Sequence, residues 1–142
     1  MSQNSMSLQE KKARISLYKK DAASYALVLL AVLAEFVYVV NVLDAMAVTF
    51  WMGVTVMVNI FLLFLLFTCA VKVNTYHRPW ALAALAAGVY MLIRQFVLVP
   101  FVLKPTDRHT VILLANLAGA ALLLYAGFVS LERIKRRERV RQ

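Results

Sequence analysis

The chain has 142 residues, 63% of them hydrophobic and only 16% charged, with a formal net charge of +9. Soluble domains are nearer half apolar and a quarter charged, so this composition excludes an ordinary water-soluble globular domain, and the length allows one domain. The apolar residues fall into four blocks, each close to the roughly 20 residues that cross a bilayer, which predicts an all-α membrane protein forming a single four-helix transmembrane domain over residues 1–142.

Residues 1–21 form a basic segment with no apolar core or small-residue cleavage site, so they do not read as a secretory signal. Ser7 and Glu10 have the spacing of a capping box. A helix starting there carries Leu8, Ile15 and Tyr18 on one stripe between lysines. It reads as a short amphipathic helix on the membrane surface, or as an extension of the first span. The expected spans are 22–43, 48–73, 80–103 and 110–131, followed by a basic tail at 132–142 that continues the last helix. Asp44 is a candidate N-cap for the second span. The run Phe61, Leu62, Leu63, Phe64, Leu65, Leu66, Phe67 is apolar all round, so part of it should face lipid. Cys69 is the sole cysteine, so no internal disulfide is possible. Pro100 lies inside the third apolar block, where a proline kinks a helix. Pro105 should end that helix, and Thr106 or Asp107 should cap the next.

The connections are short, which makes consecutive helices antiparallel neighbours. Orientation follows from Lys and Arg, which concentrate on the cytoplasmic side. Lys11, Lys12, Arg14, Lys19 and Lys20 precede the first span, Lys72 and Arg78 flank the connection between the second and third, and Arg133, Lys135, Arg136, Arg137, Arg139 and Arg141 follow the fourth. The opposite side has Lys104 and Arg108. Both termini are therefore expected in the cytoplasm of a multi-pass cell-membrane protein, of the bacterial inner-membrane kind. Trp51 and Trp80 fall near opposite faces, as interfacial anchors do. Lys19, Lys20, Arg133, Lys135, Arg136 and Arg137 are the candidate contacts to anionic lipid headgroups. Nucleic acid is not an expected partner, because basic ends on such a chain serve first as membrane anchors.

Each span carries a strongly polar residue at a comparable depth. Glu35 is about 13 residues from Ala22, Arg94 about 14 from Trp80, Asn59 about 14 from Val73 and Asn116 about 15 from Leu131. At ~1.5 Å per residue all four reach one height within ~3 Å, in the outer half of a core ~30 Å thick. Gln95 adjoins Arg94, and Tyr38 and Tyr90 lie one turn from Glu35 and Arg94, close enough to add hydrogen bonds. Ala83, Ala87, Tyr90 and Arg94 share a face of the third helix, and Asn116, Gly119 and Ala120 a face of the fourth. An unpaired charge at such depth costs at least ~2.5 kcal/mol, so Glu35 and Arg94 are expected to pair, flanked by Asn59 and Asn116. Alternatively, one or both charges point outward to another subunit.

The motifs of enzymes are missing from the sequence. His77 and His109 fall on opposite sides of the membrane, which with one cysteine makes no zinc site. There is no nucleophile motif, phosphate loop or catalytic carboxylate pair, so neither enzymatic activity nor a cofactor is expected. Gly53, Gly88, Gly119 and Gly127 read as helix packing, with Ala84–Gly88 and Ala115–Gly119 at small-xxx-small spacing. Three functions stay open: an accessory or scaffold subunit of a membrane complex, partnered by another membrane protein or by itself as a homo-oligomer; a small oligomeric transporter centred on Glu35; or a protein that handles lipids or lipid-linked intermediates. For the second, Ala31-Val32-Leu33-Ala34-Glu35 resembles the stretch around the membrane glutamate of the small multidrug resistance transporters. That resemblance implies four helices and a glutamate that exchanges protons for cationic drugs. The chain departs from that family in its basic N-terminal segment and in carrying Arg94 at the glutamate's depth.

Overall fold

A computed structural model describes residues 8–18, 20–97 and 108–142. Among them are five helices and no strand: α1 (Leu8–Tyr18), α2 (Ala22–Ala45), α3 (Phe50–Val73), α4 (Arg78–Val97) and α5 (His109–Arg141). The last four are long and apolar enough to cross a membrane. Ser7, Lys19, Pro100, Lys104, Pro105, Thr106 and Asp107 lie outside the described residues, and with them the expected capping box, kink and helix stop.

α1 is separate from the first span. Its Leu8 and Ile15 are exposed, and Asp21 starts α2 afresh by accepting a hydrogen bond from the backbone N–H of Ser24. A side-chain acceptor at this position satisfies one of the orphan N–H groups of the first turn. The expectation for Asp44 is corrected. It lies inside the last turn of α2, where its carboxylate pairs with Arg108, and α3 starts from Thr49 in extended conformation without a side-chain cap. The cap position of α5 is Arg108, past Thr106 and Asp107. α4 begins at Arg78, so Pro79 sits in the first turn, where its missing N–H is harmless. α5 runs unbroken through the basic tail for 33 residues, helped by the Glu132–Arg136 pair one turn apart at 2.5 Å.

Two apolar clusters hold the bundle. The larger joins Val28 and Ala31 of α2, Leu62, Leu66, Cys69 and Ala70 of α3, Ala84, Ala87 and Met91 of α4, and Ala120, Leu123 and Ala126 of α5. The smaller joins Tyr38, Val39 and Val42 to Ile112. On α3, Leu62 and Leu66 turn inward while Phe61, Phe64 and Phe67 face out, so the apolar run divides as a lipid-bathed helix should. The α4–α5 seam depends on two glycines. A Cβ at Gly127 would stand 3.1 Å from the Ala81 carbonyl oxygen and 2.6 Å from Leu85 Cγ, and one at Gly88 would stand 3.2 Å from the Ala120 carbonyl oxygen. Such close backbone approach is the use of small residues in membrane helices. Gly53 does not serve packing, since a Cβ there meets nothing within 4 Å.

Candidate functional site: a buried polar layer

Between the two apolar clusters lies a layer built from all four long helices. α2 supplies Glu35, α3 Asn59, α4 Arg94 and Gln95, and α5 Asn116, and all five are buried. Glu35 is 0% exposed and Arg94 3%, so neither charge can rely on water. The guanidinium meets the carboxylate edge to edge: Nη1 donates to Oε1 at 2.8 Å and Nη2 to Oε2 at 2.7 Å. This two-pronged geometry is the strong form of the Arg–carboxylate pair.

The asparagines complete it. Arg94 Nη1 donates also to Asn59 Oδ1 at 3.0 Å, while Nε and Nη2 donate to Asn116 Oδ1 at 3.2 and 2.5 Å. An arginine has five N–H donors and no acceptor. All five are thus taken, and both amides must turn their oxygens toward it. Their NH₂ groups go elsewhere: Asn59 Nδ2 to the Thr55 carbonyl at 2.7 Å, Asn116 Nδ2 to the Met91 carbonyl at 2.8 Å and to Gln95 Oε1 at 3.1 Å. The tyrosines meet Arg94 by their rings. Its guanidinium carbon stands 3.7 Å from the Tyr38 ring centroid and 5.7 Å from that of Tyr90, within the range of cation–π attraction. Each tyrosine was expected near enough to add a hydrogen bond; toward Arg94 it is the ring that makes the contact, since the five N–H donors are spent and a guanidinium cannot accept.

A second polar cluster escaped the sequence reading. Asp21 is fully buried at the start of α2. Its carboxylate accepts from Ser24 N at 3.1 Å and Ser24 Oγ at 2.7 Å, and its backbone N–H donates to the Asn74 carbonyl at 3.1 Å. Arg133, expected at lipid headgroups, reaches in from α5 to pair with Asp21. The signal was present, an Asp three residues before a Ser at the head of an apolar block, but a basic tail draws the eye to the bilayer instead. At the other end of α2, Asp44 pairs with Arg108. Asp21 at the cap of α2 and Glu35 and Asp44 within it therefore each have an arginine partner: at the start and the end of the helix from the α5 region, and midway from α4.

The remaining candidates are dispersed. Lys20 and Lys135 are exposed, Arg136 pairs with Glu132, and Arg137 stands 3.8 Å over the Tyr76 ring. His77 lies before α4 and His109 opens α5, and among the described residues no three His, Cys, Asp or Glu side chains group to hold a metal. No protein-family model matches the chain, and no curated protein or solved structure matches it either.

Proposed function

We propose that the protein is a scaffold or accessory subunit of a membrane complex, a single domain of four antiparallel spans with both ends in the cytoplasm, held in register by the Glu35–Arg94 layer. The observation that carries this reading is the exhaustion of Arg94: every donor is engaged by the chain's own oxygens, and both oxygens of Glu35 are engaged by Arg94. A substrate site needs groups left over for the substrate. A proton-exchanging glutamate, of the kind the resemblance to small multidrug resistance transporters implies, needs a carboxylate that can release its counter-charge. The closed layer supports a clasp over either.

The ends support the orientation. Lysines and arginines crowd the ends that hold Lys20, Lys72, Arg78 and Arg133, which is the distribution of cytoplasmic flanks. Outward-facing Phe61, Phe64 and Phe67 leave α3 a large apolar flank for lipid or for a partner's helix, in another protein or in a second copy. Extraction in a mild detergent followed by mass spectrometry of the intact assembly tests the reading. The expected result is a stoichiometric membrane partner or a defined homo-oligomer. A lone monomer that releases protons when a cationic drug is added would overturn it.

A further inference from the structure

We propose that the hollow where the α3–α4 turn meets the basic end of α5 binds a zwitterionic phospholipid headgroup, with the phosphate on Arg137 and Arg141 and the ammonium on Glu138. A cavity of about 190 Å³ lies there, lined by Thr75, Tyr76, Ile134, Arg137, Glu138 and Arg141. Its size is below the several hundred Å³ typical of pockets for drug-sized ligands. It suits a headgroup whose acyl chains stay outside. Thr75 and Tyr76 belong to the turn joining two helices of spanning length, so the cavity opens at the level where a bilayer keeps its phosphates.

Arg137 and Arg141 line the cavity, whereas two neighbouring arginines are engaged elsewhere. Arg133 is committed to Asp21 and Arg136 to Glu132. Arg137 is held by stacking 3.8 Å over Tyr76, and its buried Nε has no hydrogen-bond partner among the described residues. Arg141, one turn further on, lines the same cavity. Two guanidinium forks match phosphate oxygens. Tyr76 is the one described non-glycine residue with positive φ, at 60°, a conformation that a folded chain keeps where something defines it. Glu138 decides the headgroup. A carboxylate in the wall repels a purely anionic ligand and complements an ammonium that can donate hydrogen bonds, which phosphoethanolamine has and phosphocholine lacks. Thr75 adds nothing to the phosphate, since its hydroxyl donates to the Lys72 carbonyl at 2.9 Å.

The test is native mass spectrometry of the full chain in detergent with added phosphatidylethanolamine, phosphatidylglycerol or phosphatidylcholine, and with inorganic phosphate added in competition with the lipid. The proposal expects one retained phosphatidylethanolamine, held more tightly than the other two. Arg137→Gln and Arg141→Gln each weaken it about tenfold, the worth of a charge-assisted hydrogen bond. The control Lys135→Gln/Arg136→Gln leaves it unchanged. Arg141 is at the exposed end of α5, so its variant keeps the test readable should Arg137→Gln fold poorly. Equal retention of phosphatidylglycerol, equal loss in the control, or inorganic phosphate competing as well as lipid would each overturn the assignment, pointing to diffuse charge attraction or a soluble-phosphate site.

Discussion

Glu35–Arg94 and Asp44–Arg108 are the same chemical pair in opposite surroundings. The first is buried to 0% and 3% exposure and ringed by three amides and two aromatic rings. The second has side chains 56% and 53% exposed. Coulomb attraction between surface charges is mostly screened, and such pairs contribute about 0–1 kcal/mol. Within an apolar core the attraction is not screened, but its chief consequence is that neither partner can be removed alone, because the survivor is left charged and dry. On the proposed reading, the middle pair restricts which arrangements of the helices are possible, whereas the end pair only decorates one of them. Asp21–Arg133 falls between: a buried carboxylate with its own cap bonds and a partly exposed arginine.

Four substitutions grade this difference. Arg94→Met strands Glu35 and two amide oxygens, and the expected loss is about 3–5 kcal/mol, read as a shift in detergent-denaturation midpoint. Asn116→Leu removes one oxygen that accepts from two arginine donors, and each unsatisfied buried group costs about 1–3 kcal/mol; a loss equal to that of an exposed-site control would mean the layer is hydrated. Asp21→Ala removes the α2 cap and the partner of Arg133, with an expected loss near the upper part of the ~0.5–2 kcal/mol range for caps, measured as fraying of the start of α2 by hydrogen exchange. Asp44→Asn should change stability by about 1 kcal/mol or less, and the difference should shrink further in high salt. A loss there as large as at Arg94 would erase the distinction between the regions.

The parts of the molecule differ in how plainly the sequence announces them. The four long helices follow from unbroken apolar blocks, because in hydrocarbon only a helix satisfies its own backbone. The meeting of Glu35, Asn59, Arg94 and Asn116 follows from counting residues along helices of fixed rise, since a polar side chain in lipid has few places to go. What counting could not supply was direction around each helix and competition among partners. Arg133 was expected at headgroups, and packing instead brings it to Asp21. Asp44 looked like a cap because acids often are, yet α2 continues to Ala45 and carries Asp44 to Arg108. Tyr38 and Tyr90 were placed at the right height, but whether a tyrosine offers its hydroxyl or its ring depends on donors already spent.

The central claim is that Glu35 and Arg94 act as one unit that sets the register of the bundle. A double-mutant cycle tests it most directly, comparing Glu35→Gln, Arg94→Met and the two combined by denaturation in detergent. The account predicts strong non-additivity, with the double variant more stable than the summed single losses imply by well over the ~0.3–0.5 kcal/mol scatter of independent sites. Losses that simply add would contradict it, and the layer would then be four separate polar side chains that happen to share a depth.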